Sequence, residues 1–144
     1  MLTTELADVS TLVALSLRDH QHHRVAAKWF DTTDAFALTP ITEMGLIKLL
    51  RNPTVTLTND PIPMADIEAI LVDLHADRRC EFWSDGLSMT TLYPLPVRLA
   101  PRHVTDLHLV ALARSRNAKF VTLDAKLIGA LPPGSLRTTV VSLV

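Results

Sequence analysis

Residues 35–50 read AFALTPITEMGLIKLL, and this stretch decides the choice of fold. The apolar run Ala35–Leu38 predicts a short, fully buried strand. Thr39-Pro40 follows at once and predicts a helix start, because proline is favoured at the first helical position, where its missing N–H is not needed. The apolar side chains within Leu46–Leu50 then form the core face of that helix. A strand that passes directly into a helix is the repeating unit of an α/β protein.

The same alternation continues in both directions along the chain. The predicted strands are Leu2–Ala7, Ala35–Leu38, Glu81–Trp83, Lys119–Leu123 and Thr138–Val144, and helical stripes cover residues 9–17, 22–30, 39–50, 63–74 and 103–116. Strands that alternate with helices predict a three-layer α/β/α sandwich with a mainly parallel central sheet. Proline-rich breaks at residues 52–63 and 93–101 are too short to be domain linkers, so residues 1–144 are predicted to form one domain.

The composition is that of a folded protein rather than a disordered or membrane-spanning one. The chain has 144 residues, of which 48% are hydrophobic and 20% charged, and this excludes a disordered protein. No apolar run approaches the roughly 18 residues that a membrane helix needs, and residues 1–9 lack the basic residue of a signal peptide. Cys80 is the single cysteine, which excludes an internal disulfide and a multi-cysteine zinc site. We therefore expect a cytoplasmic protein that does not contact a membrane.

The charge is balanced overall but uneven along the chain. There are 14 Lys and Arg residues against 15 Asp and Glu residues, a net charge of −1, which disfavours a binder that is basic over its whole surface. Residues 1–72 hold 5 basic and 9 acidic residues (net −4), and residues 73–144 hold 9 and 6 (net +3). The basic residues of the second half, Arg98 and Arg102 among them, indicate either a solvated surface or a local basic rim.

Four acidic residues occupy the same kind of position. Asp8 lies between the first strand and the first helix, Glu43 and Asp106 lie in the first turns of their helices, and Asp124 follows Lys119–Leu123. Each acid alone is explained by capping, because carboxylates are favoured at helix N-termini. In a parallel sheet, however, the strand ends and the following helix starts share one edge, where such folds hold ligands. The four carboxylates are therefore predicted to face a common crevice.

A shared crevice creates strong repulsion between the carboxylates. Two unit charges ~4 Å apart repel by roughly 4 kcal/mol at an effective dielectric constant of about 20. A divalent cation relieves this repulsion, and hard oxygen ligands favour Mg²⁺ or Mn²⁺ over zinc. Such an ion suits phosphodiester hydrolysis, because it activates a water and neutralises charge on the phosphate.

Four short motifs, in this order, resemble the PIN-domain ribonucleases, and specifically the VapC-type toxins of bacterial toxin–antitoxin pairs. The motifs are Asp8-Val9-Ser10-Thr11-Leu12, Thr42-Glu43-Met44-Gly45-Leu46, Thr105-Asp106-Leu107-His108-Leu109 and Val121-Thr122-Leu123-Asp124. The resemblance covers nearly the whole chain, and Ser10 stands where many members of the family carry Asn. The layered fold of the family agrees with the fold predicted above.

The resemblance implies an endoribonuclease that depends on Mg²⁺ or Mn²⁺. The predicted catalytic residues are Asp8, Glu43, Asp106 and Asp124. By this resemblance the three aspartates bind the metal, and Glu43 helps through a water or by orienting the nucleophile. Ser10 and Thr122 are expected to support the aspartates by hydrogen bonds. His108, two residues after Asp106, is a candidate substrate contact.

The resemblance also implies three partners. RNA is the expected substrate. A VapB-type antitoxin protein is expected to neutralise the toxin by laying its C-terminal segment across the active-site groove. A second copy of the chain is expected to form a homodimer.

Two functions of other classes stay open. A Mg²⁺-dependent phosphatase of a different α/β fold needs an early nucleophilic Asp and a second acid two residues later, and Ser10 occupies that second place. A non-catalytic binding module shares such a layered fold equally well, because fold does not determine function. The complete set of acids argues against the binding module.

Overall fold

Short parallel strands and helices alternate in the computed structural model, which describes residues 2–57 and 60–144. The strands are β1 (Thr4–Ala7), β2 (Ala35–Leu38), β3 (Cys80–Phe82), β4 (Lys119–Thr122) and β5 (Val140–Ser142). The helices are α1 (Val9–Ser16), α2 (His23–Thr32), α3 (Pro40–Leu50), α4 (Pro53–Thr56), α5 (Met64–Ala76), α6 (Val104–Ser115), α7 (Lys126–Ala130) and α8 (Ser135–Thr139). Within the described ranges, no helix is long and apolar enough to cross a bilayer.

All five strands run parallel in one sheet of order β3-β2-β1-β4-β5. In the register of the central strand, Leu6 pairs with Ala37 of β2 on one side and with Phe120 of β4 on the other. The chain moves outward from β1 to β3 and then crosses back to β4, so the strand order reverses between β1 and β4. A reversal of this kind opens a crevice at the carboxyl ends of the strands. Asp8 and Asp124, which follow β1 and β4, therefore lie at this crevice.

Helices cover both faces of the sheet. Leu6 and Phe120 belong to a buried apolar cluster that includes the inner side of α6. Ala7 and Val121, their neighbours in the chain, belong to a second cluster with α1, α3 and α5 on the opposite face. Side chains in a strand alternate between the two faces, and here both faces are apolar. This arrangement confirms the predicted α/β/α sandwich.

The β2–α3 unit agrees closely with the prediction from residues 35–50. Thr39 caps α3: its Oγ1 accepts a hydrogen bond from the N–H of Thr42 at 3.1 Å, and the hydroxyl of Thr42 accepts one from the N–H of Thr39 at 2.9 Å. This reciprocal arrangement is a capping box, which satisfies backbone donors that have no partner inside the helix. Asp85, from a distant loop, accepts a third hydrogen bond from the N–H of Ile41 at 2.8 Å. The start of α3 is thus fixed from two sides.

The two terminal strands are shorter than the sequence predicts. β1 begins at Thr4 instead of Leu2. At the other end, α8 takes up Thr139 and β5 begins only at Val140. The hydroxyl of Thr139 donates to the carbonyl oxygen of Ser135 at 2.7 Å, so a local side-chain hydrogen bond favours the helical turn over the strand. The predicted break at residues 52–63 contains α4, and residues 58 and 59 of that break lie outside the described part.

At Gly45, helix α3 lies close to Val9 of α1. A Cβ atom at this position would lie 2.6 Å from Cγ2 of Val9 and 3.0 Å from its Cγ1. Contacts this short require the two helices to move apart, because Val9 is branched next to the backbone and has few alternative rotamers. The residue at position 45 therefore sets the spacing between α1 and α3.

We expect Gly45→Ala to destabilise the protein by about 1–2 kcal/mol, because overpacking outweighs the better helix propensity of alanine. Gly129 in α7 is the matched control, since nothing lies within 4 Å of a Cβ built there. Gly129→Ala should stabilise the protein by about 0.5–1 kcal/mol. Urea unfolding of both variants measures the difference. A Gly45→Ala variant at least as stable as the unsubstituted protein would contradict this close approach.

Candidate active site

Three of the four predicted acids meet at the carboxyl edge between β1 and β4. Asp8 directly follows β1, Asp106 lies in the first turn of α6, and Asp124 lies two residues after the end of β4. The three side chains are close enough for electrostatic repulsion to couple Asp8 with Asp106 and Asp124. The strand reversal thus assembles an acidic centre from residues that are far apart in the chain.

Asp8 is buried and tightly held, with 3% of its surface exposed. Its Oδ1 accepts hydrogen bonds from the N–H and the hydroxyl of Thr11, at 2.7 and 2.6 Å, and so caps α1. Its Oδ2 accepts a hydrogen bond from the hydroxyl of Thr122 at 2.5 Å. Burial raises the pKa of Asp8, although these hydrogen bonds favour its charged form. Asp8 therefore starts a helix and also joins β1 to β4, and Thr122 lies where its predicted supporting role requires it.

Asp106 has the most strongly perturbed carboxyl group of the three. Burial, followed by the negative charge of Asp8, raises its pKa to about 7, and the electrostatic interaction with His103 only partly offsets this. The carboxylate accepts no hydrogen bond from any residue in the ranges 2–57 and 60–144. A carboxylate that lacks protein donors and faces like charges is the group that a bound cation would stabilise most.

Asp124 is held by His103, a residue outside the predicted set of site residues. Nε2 of His103 lies 2.7 Å from Oδ2 of Asp124, and Nε of Arg102 lies 4.0 Å from the same oxygen. Burial acts to raise the pKa of Asp124, but the hydrogen bond to His103 and the nearby positive charges leave it below its usual value. His103 is itself buried, and its Nδ1 has no partner among the described residues. Its position three residues before Asp106 was the one available signal in the sequence.

Glu43 does not join the three aspartates, and this corrects the prediction of a crevice with four carboxylates. Its Oε2 lies 2.5 Å from Nε2 of His75 on α5. The crevice side of α3 is formed by Ile41, Met44, Gly45 and Lys48, which line one cavity together with Asp106. Successive helical residues are separated by about 100° around the axis. Residue 43 therefore lies on another face of α3, although it belongs to the first turn.

The two remaining predicted residues have different surroundings. Ser10 is exposed and lines the same cavity as Asp106, and its supporting role stays a prediction. His108 is 8% exposed, and its Nε2 lies 2.9 Å from the carbonyl oxygen of Leu87. This placement corrects the prediction of a substrate contact: the buried ring of His108 holds the loop that follows β3.

The donor chemistry of the acidic centre fits a divalent cation with oxygen ligands. Three carboxylates concentrate negative charge at one edge of the sheet, and Mg²⁺ and Mn²⁺ prefer such ligands. Among the described residues, no three His, Cys, Asp or Glu side chains are already arranged as a metal-binding group. Asp8 is occupied by Thr11 and Thr122, and Asp124 by His103. A carboxylate oxygen can accept more than one partner, so these hydrogen bonds orient Asp8 and Asp124 and still leave acceptor sites for an ion.

An all-parallel sheet with an acidic centre at its strand reversal defines a class of α/β domains. The family model of the PIN domain matches residues 6–130. The chain therefore belongs to the PIN-domain family, as the four motifs indicate.

Curated relatives extend the match over most of the chain. Ribonuclease VapC38 of Mycobacterium tuberculosis (strain ATCC 25618 / H37Rv) is 38% identical over 122 residues, which cover 83% of this chain and 84% of the relative. Ribonuclease VapC39 of the same species (strain CDC 1551 / Oshkosh) is 34% identical over 143 residues, covering 91% and 96%. Ribonuclease VapC29 of that strain is 33% identical over 125 residues, covering 86% and 88%. These relatives confirm the resemblance to VapC-type proteins.

Proposed function

We propose that this chain is a metal-dependent endoribonuclease that hydrolyses phosphodiester bonds in cellular RNA as the toxin of a toxin–antitoxin pair. The observation that carries the proposal is the coupling of Asp8, Asp106 and Asp124, in which burial and the charge of Asp8 raise the pKa of Asp106 to about 7. The name ribonuclease, which the relatives carry, supports RNA as the substrate.

The three aspartates would hold Mg²⁺ or Mn²⁺, which when bound supplies an activated water and neutralises charge on the phosphate. Thr11 and Thr122 keep the carboxylate of Asp8 in a fixed orientation. His103 favours the ionised form of Asp124 and holds it at the crevice. In the metal-free protein burial and the charge of Asp8 raise the pKa of Asp106 to about 7, and a bound cation would favour its ionised form, so Asp106 would act as a ligand of the ion.

The partners and the compartment belong to the same proposal. A VapB-type antitoxin would neutralise the enzyme, and a second copy of the chain would complete a homodimer in the cytoplasm. The relatives' name VapC supports the antitoxin partner. The match to the PIN domain argues against a phosphatase of another α/β fold, and a non-catalytic binding module becomes an outcome of the test below.

We expect the purified chain, free of antitoxin, to cut total bacterial RNA into discrete fragments when Mg²⁺ or Mn²⁺ is present. EDTA should slow cleavage by about 100-fold or more, because the ion contributes several kcal/mol of transition-state stabilisation. An excess of Mg²⁺ should restore cleavage, and circular dichroism in EDTA provides the control for folding. If the folded chain cuts no class of RNA with either ion, the proposal fails and the binding module takes its place.

A further inference from the structure

A cavity of about 450 Å³ lies between α1, α3 and α6 and adjoins the acidic centre through Asp106. We call it the α1/α3/α6 cavity. Its volume falls within the range of small-ligand pockets, about 300–1,000 Å³. Ser10 contributes from α1, and residues on one face of α3 form the opposite wall. The cavity is therefore a space beside the candidate catalytic carboxylates that the site described so far does not use.

Two cations, Lys48 and Arg102, line this cavity. Lys48 is exposed, and it forms no ion pair or hydrogen bond within the described part of the chain. Arg102 has a side chain that is 62% exposed. Its Nε donates a hydrogen bond to Nε2 of His103 at 3.3 Å and lies 4.0 Å from Oδ2 of Asp124, while its two terminal nitrogens bond no residue of the described part. Cations that only neutralised the aspartates would form close ion pairs with them. Lys48 forms none, and Arg102 comes no closer than 4.0 Å to Asp124. Lys48 in particular is left with three N–H donors for an anionic ligand.

The same cavity has an apolar part on α3. Met44 is 56% exposed and lines the cavity together with Ile41. An exposed methionine beside cations offers a polarizable, adaptable surface to a flat ring. Phosphate groups and a flat base are the two chemical parts of a nucleotide, and proteins bind single strands by combining basic groups with surfaces on which bases pack.

We propose that the α1/α3/α6 cavity binds the RNA nucleotide next to the cleaved bond, with Lys48 and Arg102 on its phosphates and Met44 against its base. This inference rests on the proposed function, because it takes RNA as the ligand. Gly45 fits the same role: without a side chain, it lets α3 approach Val9 and leaves this wall of the cavity clear. Contacts to phosphate position a strand without reading its sequence, so the two cations would determine affinity rather than the choice of cleavage site.

The test compares two exposed helical lysines. Lys48→Gln removes the cation from the cavity, and Lys28→Gln removes one from α2, outside the cavity lining. The probe is a mixed-sequence single-stranded RNA, and its affinity for the full-length chain is measured in EDTA at several salt concentrations. We expect Lys48→Gln to weaken binding by about 5- to 10-fold and to reduce the slope of log affinity against log salt by about 0.7. Lys48→Arg should restore both values, and Lys28→Gln should change neither.

Cleavage kinetics with Mg²⁺ provide the second measurement. For Lys48→Gln the KM should rise by the same factor as the dissociation constant, with kcat unchanged, because the contact is made equally in the bound state and the transition state. The test substitutes Lys48 and not Arg102, because Arg102 also lies beside Asp124 and affects the acidic centre itself. Thermal unfolding of each variant verifies that the fold is intact.

The outcomes separate this inference from the proposed function. If the unsubstituted protein cleaves RNA and Lys48→Gln behaves like Lys28→Gln, the cavity is not the nucleotide site and the nuclease stands. If RNA binds with the expected dependence on Lys48 but is never cut, the cavity is supported and the nuclease fails. A chain that neither binds nor cuts RNA overturns both.

Discussion

Asp106→Asn should abolish RNA cleavage and, in the same protein, raise the stability of the fold. The amide keeps the size of the carboxylate but loses the charge that would hold a cation. We expect cleavage to fall by about 100-fold or more, equivalent to about 3 kcal/mol of transition-state stabilisation. Gel assays on total RNA with Mg²⁺ measure this loss.

The gain in stability follows from the pKa of Asp106, which burial and then the charge of Asp8 raise from 3.8 to about 7. The folded state binds this proton more tightly than the unfolded state does. The proton bound to Asp106 therefore stabilises the folded state fully below pH 3.8, and this stabilisation is lost as the pH rises through about 7. A rise of about 3 in the pKa corresponds to about 4 kcal/mol, so at pH 8 without metal Asp106→Asn should be more stable by up to about 4 kcal/mol, and the gain should shrink toward pH 4. Urea unfolding across this pH range tests the sign.

Glu43→Gln is the matched control for Asp106→Asn. Both acids lie in the first turn of a helix, but Glu43 pairs with His75 on α5. Its removal should leave cleavage close to that of the unsubstituted protein. Equal losses of activity in the two variants would show that Glu43 reaches the acidic centre, and would contradict its pairing with His75 on another face of α3.

Phe120→Ala is expected to have the largest effect on stability. Phe120 is fully buried in β4, next to the central strand, and packs in the cluster that includes the inner side of α6. Truncation of a buried phenylalanine costs about 3–5 kcal/mol, out of a total stability of about 5–15 kcal/mol for a typical domain. Activity should fall in proportion to the folded fraction, because β4 ends at Thr122 and positions Asp124, so the acidic centre exists only in the folded protein.

Phe82→Ala is the control for that truncation, since Phe82 lies on the edge strand β3 and is 54% exposed. It should change the free energy of unfolding by about 1 kcal/mol or less. Urea unfolding monitored by circular dichroism measures both variants. Similar losses for Phe82→Ala and Phe120→Ala would be incompatible with the observed strand order.

The sequence is most informative where local chemistry alone determines the structure. β2 and the start of α3 were predicted to the residue, because Thr39 and Pro40 act through their own backbone and immediate neighbours. The C-terminal strand was predicted too long, since the hydrogen bond of Thr139 to Ser135 competes with its β propensity. The order of the strands depends on pairing over more than 100 residues, and no local pattern encodes it.

The same distinction applies to the candidate site. The prediction placed Asp8, Asp106 and Asp124 at one edge because strand ends in a parallel sheet share an edge. It misplaced Glu43, because membership of a first turn does not specify the direction around the helix. It missed His103, because that residue precedes α6 in a 3₁₀ turn and reaches Asp124, which lies 21 residues further along the chain.

The central pair of strands also bears on how the protein is made. β1 precedes its partner β4 by more than 100 residues, since Glu5 of β1 pairs with Lys119 of β4, 114 residues further along the chain. A ribosome extends the chain from the N-terminus, and a domain generally folds as a unit. An unfinished chain that already carries Asp8 still lacks Thr122 and Asp124. The acidic centre therefore forms only after residue 124 has been synthesised, and a nascent chain interrupted before that point contains no assembled site.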